Sequence, residues 1–360
     1  MKKILKLTLL TIILQSLFLS CENDENTIEL NRKNTTYSNM SVSEFSYYNE
    51  KEQIHMLEFE SKDDFVNMID LLESENDLYQ ESFYSRFDKE FEKDSSFYVI
   101  ESDYNFDNQK IFKDFEKQYH YTSMRTIAYD LECDWLEKCE YDTIERNISP
   151  FAIYPYSTAE QTLFNRYGEV KIGDSILKVM DGEFVVFGDG DTVSLQKLHK
   201  GDTTVLYQDG VLSSFKYKSS NDENCKKYHS EPYLIHPLLI GYEASPIFKT
   251  EVNISFYNYW FMAKTTMKAK FFVWSSTQNK YVPAGTEQII AFGDTKLYNK
   301  DCFCRTNTII GGTKTKTRHN VELSKFILHS IDVNRVHKSD PLNAVYTTGF
   351  RSYGIGLLFW

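Results

Sequence analysis

Between Gln53 and Glu60 the chain reads as a strand, and Ser61-Lys62-Asp63-Asp64 then has the form of a capped helix start. Phe65, Met68, Ile69 and Leu72 follow at i, i+3, i+4 and i+7, which predicts one apolar helical face. Phe83, Phe87 and Phe91 recur every four residues. Phe112, Phe115 and Tyr119 keep a helical spacing too, as do Met124, Ile127, Ala128 and Leu131. Residues 46–150 therefore read as a helix-rich region whose aromatic stripes belong to a core.

The period then changes. Glu169–Ile176 and Lys178–Val185 alternate around Gly173-Asp174 and Asp181-Gly182, turn pairs in which positive φ is tolerated. This predicts a small β-meander within residues 151–245, packed on the helical part. Residues 246–360 are mostly strand-like, with strands expected at Val252–Tyr257, Ala269–Trp274, Gln288–Phe292, Thr306–Ile310, Val321–Leu328 and Ala344–Phe350. Gly311–His319, with Lys314, Lys316 and Arg318, reads as an exposed basic hairpin loop, and the apolar end Tyr353–Trp360 as a closing strand. The fold class expected is α+β: a helix-rich N-terminal region with a small β-meander, followed by a mainly antiparallel, β-sandwich-like C-terminal domain.

The N-terminus is of another kind. Lys2, Lys3 and Lys6 precede an apolar run from Leu7 to Leu19, and no acid occurs before Glu22. A basic start followed by a short apolar stretch is a secretory signal, too short for a membrane span. Phe18-Leu19-Ser20-Cys21 resembles the lipobox of bacterial lipoproteins, with Phe18 where Leu is usual; the resemblance implies a lipoprotein signal over residues 1–21 in which Cys21 is lipidated and stays as the first residue of the mature chain. Residues 22–45 read as a flexible acidic and polar tether. Its start, Cys21-Glu22-Asn23-Asp24-Glu25-Asn26, is similar to the surface-export signal of Bacteroidota lipoproteins. Taken with the meander, the chain resembles uncharacterised surface lipoproteins of Bacteroidota. That resemblance implies a lipid anchor in the outer membrane and a cell-surface location, and it carries no activity.

Composition adds a charge asymmetry. The chain has 360 residues, 41% hydrophobic and 15% aromatic, which is enough apolar surface for a core. Residues 251–360 carry 14 lysines and arginines against 7 acids, while residues 22–250 carry 23 against 45. Two explanations stand: a basic surface for an anionic glycan or envelope protein, or two regions attracted to each other. The acidic balance and an exported chain both count against nucleic acid. Beyond Cys21 the cysteines are Cys133, Cys139, Cys225, Cys302 and Cys304, an odd number that leaves one thiol over. Cys133 and Cys139 fall on one predicted helix, about 9 Å apart along its axis, which exceeds disulfide reach; free thiols are expected.

No nucleophile elbow, zincin helix, Walker loop or dinucleotide fingerprint is present, so no catalytic residue and no cofactor is implied. His229 and His236 flank Glu231-Pro232-Tyr233 without ligand spacing, and no metal is expected. Gly188–Thr192 lacks the rest of a calcium loop and reads as a turn, with Asp191 capping a helix to Leu198. Asp-Ser/Thr-apolar triplets at Thr143, Ser175 and Thr192, and the Asp-Thr-Thr variant at Thr203, resemble the O-glycosylation sequon of exported Bacteroidota proteins. The expected function is non-catalytic: binding of a glycan or envelope partner through the C-terminal domain. Trp274, Tyr281, Lys314, Lys316 and Arg318 are the candidate contacts, since rings stack on sugars and cations meet acidic groups. Two alternatives are a polysaccharide hydrolase using a carboxylate pair and an adhesin or fimbria-like subunit assembling through strand edges.

Overall fold

The computed structural model describes residues 42–49, 51–94, 97–138, 156–180, 183–213, 231–235, 248–259, 261–298, 308–328, 336–338, 344–346 and 355–357. Cys21, Cys139, Thr143, Cys225, His229, His236, Cys302 and Cys304 lie outside the described residues.

The first element is β1 (Val42–Tyr48), which begins inside the stretch assigned to the tether. It pairs antiparallel with β2 (Gln53–Phe59) along its whole length. Then comes α1 (Lys62–Tyr84), started as expected: Ser61 Oγ accepts the Asp64 N–H at 3.1 Å, and two acids sit in the first turn. Phe65, Met68, Ile69 and Leu72 are fully buried. The four-residue phenylalanine spacing spans a break, with α1 ending at Tyr84 and α2 (Asp88–Lys93) carrying Phe91. The short strand β3 (Tyr98–Ile100), α3 (Lys110–Glu116), α4 (Met124–Lys138) and α5 (Thr158–Leu163) follow. The predicted inner face of α4 is corrected in part: Met124 is buried as expected, but Leu131 is exposed, and the helix buries Arg125, Glu132, Trp135 and Leu136 as well. Apolar periodicity misses this face because two of its members are charged and reach partners elsewhere in the fold.

The meander joins the first hairpin. β4 (Glu169–Ile172), β5 (Ser175–Met180), β6 (Glu183–Phe187) and β7 (Val211–Ser213) extend one six-stranded sheet in the order β1-β2-β4-β5-β6-β7. Only β2 and β4 run parallel; the intervening helices form their connection. Strand alternation separates two cores. Leu57 and Phe59 face α1, α3 and α5, while Ile54 and Met56 face α6 (Thr192–His199). Asp191 caps α6 by accepting the N–H groups of Val193 and Ser194 at 3.1 and 3.0 Å, the role read from its sequence.

Antiparallel strands dominate the C-terminal region. β8 (Glu231–Ile235), β9 (Phe248–Tyr259), β10 (Met262–Ser275), β11 (Lys280–Tyr298), β12 (Thr308–Arg318), β13 (Asn320–Leu328) and β14 (Val336–Lys338) form a branched sheet that also takes in β3. β15 (Ala344–Tyr346) and β16 (Ile355–Leu357) pair separately. β11 leaves β10 after Pro283, passes β3, and pairs onward with β12 through a register shift between Thr286 and Ile289. β13 takes the vacated edge of β10. Gly311–His319 is corrected from an exposed loop to strand: β12 is bonded to β11 up to Arg318, and His319 alone separates it from β13. The alternation Thr313-Lys314-Thr315-Lys316-Thr317 has strand period, with β-branched residues at every second position.

Apolar and charged contacts both join the two regions. Phe65 meets Phe59, Phe164, Tyr259 and Phe261 with ring centroids 5.4–6.3 Å apart, so one helix residue touches both sheets. Around it the acidic and basic halves pair: Arg318 with Asp77 at 2.6 Å, Lys270 with Glu132 at 2.7 Å and Lys280 with Glu137 at 3.2 Å. The charge asymmetry thus serves in part to hold the halves together. Helix α1 also approaches the sheet backbone at Gly285, where an added Cβ would lie 2.0 Å from the Tyr84 ring.

Candidate functional site

A cleft of about 170 Å³ opens where the helical layer meets the turn end of β10 and β11. One wall is the loop from Glu101 to Gln109, the second is α4 through Tyr129, Glu132, Cys133 and Leu136, and the floor comes from Lys270, Phe272 and Lys280–Pro283. His319, from the turn between β12 and β13, also lines it. At the rim, Asn105 holds a left-handed φ of 50° at the end of a 3-10 turn, a conformation that favours glycine and recurs at functional loops. Gln278, in the β10–β11 turn, donates to Ser102 Oγ at 3.1 Å, tying the two rims together.

The polar groups of the wall form a connected set. Glu101 is 3% exposed. Its Oε1 accepts the Tyr84 hydroxyl at 2.5 Å, and its Oε2 accepts the Asn108 amide at 2.6 Å. Gln109 donates to Asn108, and Arg125 donates to Gln109 and, bidentately, to Glu116. Burial pushes the Glu101 carboxyl up to about 7, and the Tyr84 and Asn108 bonds only partly counter it. Burial also drives His319 down to about 3, with the Lys270 charge adding to the effect, so the ring is neutral. Its Nδ1–H donates to the Phe271 carbonyl at 2.6 Å, which leaves Nε2 as an acceptor. Lys270 grips both oxygens of Glu132 at 2.7 Å.

Of the residues singled out from sequence, Tyr281 and Cys133 line this cleft, Trp274 packs against Tyr281, and Arg318 precedes the lining residue His319. Tyr281 lines the cleft while only 1% exposed, packed with Trp135, Leu136 and Phe272, so it presents a ring edge and no open surface. Trp274 is half-buried and meets Tyr281 edge to face at 5.1 Å. Arg318 is 2% exposed and spends Nη2 on Asp77, so it is corrected from a surface contact to an interior residue. Lys314 and Lys316 sit on β12 opposite Ala291 and Ile289. Ser175 opens β5, Thr192 is the first residue of α6, and Thr203 is exposed. Cys133 carries no disulfide and lies on the cleft wall. Sequence reasoning passed over Glu101, Glu132, Lys270 and His319; a charge interrupting an apolar helix face or a strand was the available signal.

A second groove of about 410 Å³ lies beside β2, lined by Glu52, His55, Tyr119, His120, Arg166 and Tyr167 among others. Its charged groups are engaged with one another or with neighbours: Arg166 and Tyr167 bond Glu52, and His120 bonds Glu44. Behind it, Glu169 is fully buried and held by Lys178, His199, Tyr47 and Asn165. Burial works to raise this carboxyl, but the Lys178 charge and the His199 bond prevail and hold it below the usual range. The larger groove is thus the more self-satisfied, and the smaller cleft the better candidate. Among the described residues no group of three or more histidine, cysteine or acidic side chains is placed to hold a metal ion, and no helix is long and apolar enough to cross a membrane.

Neither a protein-family model nor a curated protein matches the chain. A solved structure, that of a DUF4848 family protein from Bacteroides thetaiotaomicron, is similar over 78% of this chain and 95% of its own, at 9% identity and a TM-score of 0.21.

Proposed function

We propose that the chain is a cell-envelope lipoprotein, anchored by lipid at Cys21 on the outer membrane, that binds a glycan in the cleft between α4 and the β10–β11 turn. The observation that carries the binding role is the cleft's lining. Phe106 and Tyr129 supply partly exposed ring surface, with the buried Phe272 and Tyr281 behind them, and Glu101, Asn108, Gln109 and His319 supply hydrogen-bonding groups already held by neighbours. Sugars ask for that combination of apolar faces and fixed polar partners. Three lining carboxyls face three lysines, so charge alone does not select an anion, and the glycan-binding role moves from the basic strand to this cleft.

The test is a glycan microarray probed with the folded protein, followed by protection of Cys133 from alkylation. Binding that slows Cys133 modification supports the cleft. Silence across the array refutes the glycan role, and binding that leaves Cys133 equally reactive refutes the location. A second reading, a glycan hydrolase, is favoured by one observation: Glu101, titrating near 7, shares the cleft with the lysine-paired Glu132. Reducing-end release that disappears in Glu101→Gln would establish it, and no release by the wild type would end it.

A further inference from the structure

The three carboxyls of the cleft are not equivalent. Asp107 is paired with Lys113 at 2.8 Å, and Glu132 with Lys270 at 2.7 Å. Among the described residues Glu101 has only neutral donors, the Tyr84 hydroxyl and the Asn108 amide, although it is the most deeply buried of the three. A carboxylate taken out of water without a cation is costly, and a hydrogen bond from a neutral group offsets only part of that cost. The partly exposed rings of Phe106 and Tyr129 line the same small space, and aromatic faces attract cations.

We propose that the cleft selects a ligand carrying a protonated amine, an amino sugar if the glycan role above holds, with the ammonium group completing Glu101 as Lys113 and Lys270 complete the other two acids. The groups around Glu101 are consistent with this. Asp107 on its own loop repels its charge, Lys270 of β10 attracts it from a distance while engaged with Glu132, and the neutral His319 adds no charge. Tyr84 of α1 is pushed well above its ordinary range by burial, so it stays a donor, and Lys113 of α3 is engaged with Asp107.

A proton count follows. The free cleft holds Glu101 half-protonated near pH 7. An ammonium ion beside it favours the carboxylate, so binding expels the Glu101 proton into solvent and no bond to the ligand forms or breaks. Affinity therefore rises with pH through 7 and weakens on acidification.

The experiment titrates the tryptophan fluorescence of the folded full chain with 6-amino-6-deoxyglucose and with glucose, at pH 7.5 and 5.5. The amine is expected to bind at least tenfold tighter than glucose at pH 7.5. That preference should fall toward parity at pH 5.5, where the ionised fraction of a group titrating near 7 has dropped by about twentyfold. Glu101→Gln is expected to bind both sugars alike at both pH values. If that variant does not fold, calorimetry of the wild type in two buffers should show release of up to about 0.8 proton per amine bound at pH 6.5. Equal affinity for amine and glucose, or an amine preference that survives in Glu101→Gln or lacks proton release, overturns the inference while leaving the glycan role standing. Binding of neither sugar by the folded protein overturns this inference, and the array result then decides the glycan role separately.

Discussion

Lys270 and Glu132 make the most direct test of how the acidic and basic halves adhere. Both side chains are under 10% exposed, and the ammonium group contacts each carboxylate oxygen at 2.7 Å. Lys270→Met leaves the Glu132 carboxylate buried beside no cation, which costs about 3 kcal/mol at neutral pH. Glu132→Gln leaves the lysine an amide oxygen in place of a charge, at about 2 kcal/mol. The double variant removes both charges, so its loss should stay near 2–3 kcal/mol, less than the two single losses together. The coupling then comes to about 2 kcal/mol, a large share of the 5–15 kcal/mol by which domains are stable. Urea unfolding of the four proteins at constant m-value measures it. Single losses that add to the double within about 0.5 kcal/mol would refute the pairing as a source of docking energy.

Three further outcomes are expected. Phe65→Ala, which empties the aromatic meeting point of both sheets, should cost about 3–5 kcal/mol by chemical denaturation, with a single transition; two transitions would show that the sheets melt apart. Gly285→Ala should cost about 1–3 kcal/mol, because the new methyl group displaces the Tyr84 ring and with it the Tyr84–Glu101 bond; a near-ultraviolet tyrosine spectrum like that of wild type would contradict this. Glu169→Gln should narrow the stability gap to wild type as pH falls. The depressed carboxyl contributes stability that is present above its unfolded pKa and lost as pH falls through the lower folded value, so a constant gap from pH 7 to 3 would count against it.

Local chemistry made α1 and α6 legible. Ser61 and Asp191 cap helices whose apolar faces begin within the same turn, so every cue lay within a few residues. The Thr-Lys alternation of β12 was ambiguous for a physical reason: polar residues with strand period look like a loop until β11 is known to lie alongside. The cleft was hidden altogether. Glu101, Glu132, Lys270 and His319 each stand alone in sequence, and only the passage of β11 between β10, β3 and β12 brings them together. Charge counting offered attraction between the halves as one of two explanations, and gave no sign that Glu101 would be the acid left without a cation.

Strand β3 also bears on the order of events in folding. Val99 pairs with Gly285, about 180 positions later, so this ladder closes only when the chain is nearly all present. The six-stranded sheet and its two cores draw almost wholly on residues that come before β9, with Tyr259 and Phe261 joining from the large sheet, and they can collapse while β11 is still unformed. The cleft is then among the last places to take shape. During synthesis and refolding, ligand capture would serve as a late clock, separating chains that have completed the long-range closure from those that have only condensed their first half.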